Sequence, residues 1–160
     1  MTNNDILRRI RYTFNFDDTK MISLFSLAGQ EVTRAQISDW MKKDDDPAYI
    51  KCEDPQFAIF LNGLIIDKRG KKEGAQPEPE KRLTNNIIFM KLKIALNLKA
   101  EEVLELLNLA GLKLSKHELS AFFRNTDNPS FRECRDQILR YFLKGLQLKF
   151  RPESNKLPAE

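Results

Sequence analysis

The sequence predicts an all-α protein that consists of two tandem, pseudo-symmetric repeats of about four short helices each, packed together. Three observations lead to this fold class. Residues 84–151 repeat residues 2–69 at a constant offset of 82 positions without a gap. Apolar residues recur at helical spacing in both copies, and capping signals stand at corresponding positions. A period this long indicates duplication of a whole unit, and the two copies are expected to pack with approximate twofold symmetry.

The repeat also sets the expected domain boundaries. Identical stretches fix the register: Thr2-Asn3-Asn4 returns as Thr84-Asn85-Asn86, Leu27-Ala28-Gly29 as Leu109-Ala110-Gly111, and Phe60-Leu61 as Phe142-Leu143. We therefore predict helical repeat 1 at residues 1–70 and helical repeat 2 at residues 84–151. Residues 71–83, rich in charge and proline, are predicted to be a linker, and residues 152–160 a flexible tail.

The composition is that of a soluble globular protein. With 160 residues, of which 41% are hydrophobic, the chain can bury a core. No apolar run approaches the roughly 18 residues of a membrane span, and the polar start does not resemble a signal peptide. A cytoplasmic location without membrane association is expected. Cys52 and Cys134 stand one repeat apart outside any CxxC pair, so they are expected to be buried apolar residues, with a redox pair conceivable if both lie near the twofold axis.

The net charge of +4 is distributed unevenly between the copies. Residues 2–70 carry 10 basic and 11 acidic side chains, whereas residues 84–151 carry 12 and 7. The positive charge therefore belongs to the second copy, which hints at an anionic partner, although a basic pI also serves solubility.

The first two helices of each copy follow from apolar periodicity. The first is predicted from Asn3 or Asn4 to Phe14, with the paired asparagines as N-caps in preference to ligand-binding residues. The second is predicted to begin near Asp17 and to end at Gly29, where glycine suits a left-handed C-cap.

Capping signals predict the starts of the third and fourth helices. Thr33-x-x-Gln36 and Ser115-x-x-Glu118 form the same capping box in both copies, and Trp40 is expected to face the core. A polar connection follows, with a possible short helix from Pro47 through Cys52. The fourth helix is predicted to begin at Asp54, as N-cap, and at Asp136. Gly63 and Gly145 lie inside it, which predicts a close helix crossing where the two halves meet.

Few residues suit catalysis, so the protein is predicted not to be an enzyme and to need no cofactor. His117 is the only histidine, and its place in a first helical turn favours a solvated position over a general base. The acidic run Asp44-Asp45-Asp46 favours a solvated turn over a Mg²⁺ site. No metal or nucleotide motif is present. Carboxylate catalysis stays open, because such partners can meet only in the fold.

Two features favour nucleic-acid binding. The second and third helices of each copy have the order of a helix-turn-helix unit, although the connection is about two residues longer than the compact form. On the last helix, Arg140, Lys144 and Arg151 fall within about 40° on a helical wheel, with Gln147 beside them. We call these four residues the basic stripe. A solvated face accounts for them as well.

Several of these segments resemble a known family. The doubled TNN helix start, the FLNGLI and KRG segments within residues 60–70, and FRECRDQILRYFLKGL at residues 131–146 are similar to the bacterial YehS-like family of unknown function. The resemblance implies a duplicated, helical, cytoplasmic protein and assigns no catalytic residue.

Together these observations favour a non-enzymatic interaction module that binds another macromolecule, with protein as the first choice of partner, through a surface formed by the two copies. The alternative is a nucleic-acid-binding protein that holds DNA or RNA on the basic face of repeat 2.

Overall fold

A computed structural model describes residues 1–152, which form eight α-helices and no strand. The predicted all-α class is therefore confirmed. Only Pro152 of the predicted flexible tail belongs to these residues, and positions 153–160 lie outside them. None of the helices in the described part has both the length and the apolar content that crossing a bilayer requires.

The helices fall into two compact units with the same element order. Unit 1 is Met1–Leu83, and unit 2 begins at Thr84. Unit 1 contains α1 (Asn3–Thr13), α2 (Asp18–Leu27), α3 (Arg34–Met41) and α4 (Asp54–Arg69), and unit 2 contains α5 (Asn85–Ala95), α6 (Ala100–Leu109), α7 (Lys116–Ala121) and α8 (Asp136–Phe150). Within each unit the second helix packs mainly against the fourth, and it also contacts the third. Residues 71–83, predicted as a linker, group with unit 1.

Three helices, α2, α3 and α7, begin at the cap residues that the sequence predicts. The hydroxyls of Thr33 and Ser115 accept the N–H groups of Gln36 and Glu118, whose side chains return a bond to the cap backbone. The carboxylate of Asp17 accepts the N–H of Lys20 at the start of α2. The cap of α4 is Glu53, one residue before the predicted Asp54. A cap side chain satisfies an N–H group that the first helical turn leaves without an intrahelical partner.

The asparagine pair does not cap the first helix, which corrects the sequence prediction. Thr2 and Thr84 are the N-caps, and their hydroxyls accept the N–H groups of Asp5 and Ile87. The asparagines are thereby left as the first two helical residues of α1 and α5, where they point away from the helix and bind other segments. Threonine is a favoured N-cap residue, and Thr2 and Thr84 stand directly before the asparagine pairs.

Asn4 fastens the connection between α3 and α4 to α1. Its Nδ2 donates to the carbonyls of Trp40 (3.0 Å) and Ile50 (2.9 Å), and its Oδ1 accepts the N–H of Cys52 (2.9 Å) and the hydroxyl of Tyr49 (3.1 Å). These bonds use the whole hydrogen-bonding capacity of a carboxamide. The side chain is 1% exposed, so the bonds are shielded from water.

Asn3 completes this arrangement, which we call the asparagine clamp. Its Nδ2 donates to the Cys52 carbonyl (3.0 Å) and to the Asp54 carboxylate (2.7 Å). The other oxygen of Asp54 accepts the N–H of Leu83 (2.9 Å). The predicted short helix between Pro47 and Cys52 does not form; turns and extended backbone lie there instead. Because the clamp takes the backbone groups of Ile50 and Cys52, they are not available to a helical ladder.

Unit 2 repeats the clamp almost bond for bond. Asn86 donates to the carbonyls of Phe122 (2.9 Å) and Arg132 (2.8 Å) and accepts the Cys134 N–H (2.9 Å). Asn85 donates to the Cys134 carbonyl (3.1 Å) and the Asp136 carboxylate (2.7 Å). This recurrence explains why the asparagines and the aspartates return at the 82-residue offset.

Gly63 and Gly145 mark a close helix crossing inside each unit. A Cβ on Gly63 would overlap the Leu24 carbonyl of α2, and a Cβ on Gly145 would overlap the Leu106 carbonyl of α6. The predicted close approach is thus present, but it joins the second and fourth helices of one unit. The prediction that placed it where the halves meet was wrong.

Each unit has its own aromatic core. In unit 1, Phe25 lies 5.3 Å from the Trp40 ring and 5.4 Å from the Phe60 ring, measured between centroids. In unit 2, Phe89 contacts Phe122, Phe123 and Phe142. Trp40 is 2% exposed, which confirms it as a core residue.

Candidate functional site

The basic stripe is exposed only in part. Arg140 and Lys144 are exposed one helical turn apart on α8, and Arg151, at its end, is half-buried. Gln147 is 1% exposed, so it does not extend a solvent-facing stripe as the sequence suggested. A helical wheel gives the direction of a side chain and carries no information on what packs over it.

The helix-turn-helix resemblance rests on α2 and α3. Arg34, Gln36 and Ser38 present an exposed polar face on α3. Asp39 on the same helix pairs with Lys42 (2.8 Å), which neutralises one basic group that a phosphate would use. In unit 2 the equivalent α7 spans six residues, less than two helical turns. Unit 1 therefore contains the more complete helix pair, whereas unit 2 contains the excess of basic residues.

The sequence raised His117, the acidic run and the two cysteines as groups for catalysis or metal binding. His117 is exposed, in agreement with the predicted solvated position, and the Asp44-Asp45-Asp46 run is exposed as well. Within the described residues no group of three or more His, Cys, Asp or Glu side chains could hold a metal ion. Cys52 and Cys134 are free and buried, as predicted. Burial raises the pKa of each thiol to about 12, so both remain protonated at neutral pH.

One concave feature of unit 1 is an apolar groove of about 330 Å³ beside α4, which we call the α4 groove. It lies between the end of α2, the outer side of α4 and the segment after α4. Its walls carry isoleucine, leucine and proline side chains with a few polar groups and two lysines: Ser26, Leu27, Ala28, Gly29, Ile59, Asn62, Ile65, Ile66, Gly70, Lys71, Lys72, Gln76, Pro77 and Pro79. Concave apolar surfaces with a few polar groups are typical of binding sites.

The segment after α4 supplies one wall of the groove. Gln76 folds this segment into a turn, because its Nε2 donates to the carbonyls of Lys72 (2.7 Å) and Gly74 (3.3 Å). Pro77 and Pro79 follow the turn and restrict the backbone further. The residues that the sequence marked as a linker therefore contribute to a surface of unit 1.

Sequence reasoning missed the α4 groove because its parts come from three separate segments. Ile65 of α4 is half-buried and lines the groove together with residues of α2 and of the segment after α4. One feature of the sequence pointed to this surface, because a leucine stands at the end of the second helix in both copies. These leucines, Leu27 of α2 and Leu109 of α6, are 39% and 53% exposed.

The α4 groove and the basic stripe occupy corresponding faces of the two units. At the 82-residue offset, Lys144 and Gln147 take the places of Asn62 and Ile65. Both Asn62 and Ile65 line the groove in unit 1. The exposed Lys144 of unit 2 therefore corresponds to a wall residue of the groove, whereas Ala58, the counterpart of Arg140, is buried in unit 1.

Comparison with known proteins agrees with the duplicated architecture. Residues 3–70 and 85–151 each match a family described as "Protein of unknown function (DUF1456)". The chain is also 43% identical over 147 residues to "Uncharacterized protein YehS" of Escherichia coli (strain K12), which covers 91% of this chain and 94% of that protein. No solved structure matches.

Proposed function

Because the chain belongs to the DUF1456 family, whose two matched segments coincide with the helical repeats, we propose a function from the surface of the molecule. The protein is a non-enzymatic interaction module, and the α4 groove of unit 1 is the site where it binds a segment of another protein. The observation that carries this proposal is the apolar groove with Leu27 exposed at its edge. Apolar surface of this kind is costly to leave in water and marks interaction sites.

The size and lining of the groove suit a peptide segment. A volume of about 330 Å³ accommodates a small number of apolar side chains, which is how a few anchors carry most of the affinity in peptide recognition. Ile59, Ile65 and Ile66 are half-buried, so they remain accessible to an incoming side chain. The polar groups of Asn62 and Gln76 on the walls can fix its orientation.

A non-enzymatic role is supported by the chemistry of the same walls. Among the described residues lining the groove there is no histidine, cysteine, aspartate or glutamate. General acid–base or nucleophilic catalysis needs such groups within hydrogen-bond reach of a substrate. The lysines of the groove, Lys71 and Lys72, are exposed, which does not provide the desolvation that activates a lysine nucleophile.

A phage-displayed library of random dodecapeptides, selected on the full-length protein, tests this proposal. We expect enriched peptides that share apolar anchors and bind Leu27→Glu at least about tenfold more weakly. Leu109→Glu is the matched control, because it changes the equivalent exposed leucine of unit 2. Peptides that bind wild type, Leu27→Glu and Leu109→Glu equally, or a selection without enrichment, would argue against the α4 groove as a docking site.

Nucleic-acid binding is the second candidate function. Arg140 and Lys144, exposed one turn apart on α8, favour it, as does the positive charge of residues 84–151. Binding to mixed DNA and RNA fragments at low salt should fall steeply as salt rises, and the variant Arg140→Glu with Lys144→Glu should weaken it. Absence of binding at low salt would remove this candidate.

A further inference from the structure

Beyond the existence of a docking site, we infer that the α4 groove recognises an acidic segment, one in which carboxylates flank the apolar anchors. This inference rests on the proposed function and names the chemistry of the partner. It follows from the charges at the groove, from their fixed position and from the partners of the neighbouring acidic groups.

The charge at the groove has one sign. Lys71 and Lys72 are its only charged lining residues within the part of the chain that the structure describes. Lys68 and Arg69 precede them in the last turn of α4, so that four basic side chains lie within five residues. Lys68 and Arg69 also suit the negative end of the helix dipole. Lys71 and Lys72 lie past the helix end, so their positive charges stand at the groove that they line.

Nearby acidic residues do not cancel this charge on the groove walls. Asp67 pairs with Lys20 on α2 (2.8 Å), so its carboxylate is directed to another element. Glu73 and Glu78 are exposed, Glu80 is half-buried, and none of the three lines the groove. A carboxylate carried by a bound peptide would therefore meet lysines at the groove edge, and attraction there would favour acidic over basic segments.

The lysines are presented by a constrained segment. The two hydrogen bonds from Gln76 hold the turn that contains Lys72, and Pro77 and Pro79 follow it. Because the backbone of this wall is already folded, a peptide would lose less free energy in ordering it. The apolar floor supplies affinity, and the lysines select among apolar segments by charge.

The test uses dodecapeptides obtained by selection on the α4 groove, labelled with fluorescein. In each, the residues flanking the apolar anchors are changed to two glutamates, two glutamines or two lysines on each side. Fluorescence anisotropy should rank the glutamate peptides first and the lysine peptides last on the wild-type protein. Two exposed ion pairs correspond to about a threefold to tenfold difference between glutamate and glutamine forms, smaller at high salt.

The variant Lys71→Glu with Lys72→Glu should reverse this order while the protein stays folded, since both residues are exposed. Lys43→Glu with Lys113→Glu is the matched control, because it makes the same change of net charge at two exposed sites that do not line the groove and should keep the wild-type order. The same ranking in wild type and in Lys71→Glu with Lys72→Glu overturns the inference.

The outcomes separate this inference from the proposed function. Selected peptides that depend on Leu27 but bind equally with glutamate, glutamine or lysine flanks leave the docking site in place and overturn the acidic partner. Peptides whose binding does not depend on Leu27 would contradict both the docking site and the acidic partner. Displacement of the glutamate peptides by a single-stranded oligothymidylate at physiological salt, lost in Lys71→Glu with Lys72→Glu, would also overturn the acidic peptide in favour of nucleic acid.

Discussion

A buried asparagine near the start of the first helix joins three segments of each unit. Asn4 binds the end of α3 at Trp40 and the following connection at Ile50 and Cys52. Two N–H donors and an acceptor oxygen on one short side chain are needed for these bonds, and aspartate or leucine lacks part of this set. The polar residue is tolerated in the core because every one of its groups is satisfied.

The substitution Asn4→Ala should lower the free energy of unfolding by about 2–4 kcal/mol, because two carbonyls and one amide N–H lose their buried partner. Urea denaturation followed by circular dichroism measures the change. Asn108→Ala, at an exposed position of α6, is the control and should remain close to wild type. A stability of Asn4→Ala equal to that of the control would contradict the role of the clamp.

The buried thiols give a prediction on pH. Burial raises the pKa of Cys52 and Cys134 from 9.0 to about 12 in the folded protein. The contribution of the buried thiols to the free energy of unfolding is therefore fully present below the thiol pKa of the unfolded chain. It is lost as the pH rises from that value towards 12. At about pH 9, iodoacetamide should label both cysteines slowly in the native protein and quickly in concentrated urea. Equal labelling rates in the two states would show that the thiols are accessible.

At the scale of the helices, the fourth element of each unit is fixed by contact with the second. Gly63 of α4 lies against the Leu24 carbonyl of α2, and Gly145 of α8 lies against the Leu106 carbonyl of α6. Backbone atoms cannot give way as a flexible side chain does, so each crossing admits only glycine. The same helix α4 faces the core on one side and the α4 groove on the other, and its position therefore sets the shape of both.

The direction of the stability change in Gly63→Ala tests the close contact between α4 and α2. Helix propensity alone would make alanine more stable than glycine by up to about 1 kcal/mol. The overlap with the Leu24 carbonyl predicts the reverse, a loss of about 3 kcal/mol or more, because the two helices must separate. Thermal and urea denaturation measure it, with Ser23→Ala on the exposed side of α2 as control. A variant as stable as wild type would show that the helices are not in close contact there.

At the scale of the whole molecule, each unit contains a complete set of stabilising parts. The aromatic cluster, the asparagine clamp and the glycine crossing of unit 1 all come from residues 1–83, and unit 2 has its own versions. The copies differ in their surfaces. Unit 1 carries the α4 groove, whereas the corresponding face of unit 2 carries Lys144.

Residues 1–83 should therefore fold when expressed as a fragment, since they form a compact unit with its own aromatic cluster. A helical circular dichroism spectrum and a cooperative urea transition are the expected readouts. A fragment of residues 1–52, which lacks α4, should show neither, because Phe25 and Trp40 lose the helix that covers them. A non-cooperative transition for residues 1–83 would mean that unit 1 depends on the rest of the chain.

The sequence by itself determined the helices, the duplication and much of the core. Local rules sufficed for these, because apolar periodicity and the boxes at Thr33 and Ser115 act within one or two turns. Internal comparison then fixed the register of the second copy. The same internal comparison identified the two glycines as packing positions. A glycine lowers helix stability, and its recurrence at equivalent positions of both copies indicates a shared packing requirement.

Only the tertiary structure decided which partners those residues take. Asn4 bonds across 36 to 48 positions of the chain, Gly63 meets α2 of its own unit, and the α4 groove gathers α2, α4 and the segment after α4. Distances between such segments depend on how the helices pack. Periodicity describes one helix at a time, so it gives only the direction in which a side chain leaves that helix. It could not show that Gln147 is covered by other residues or that Ile65 borders a groove.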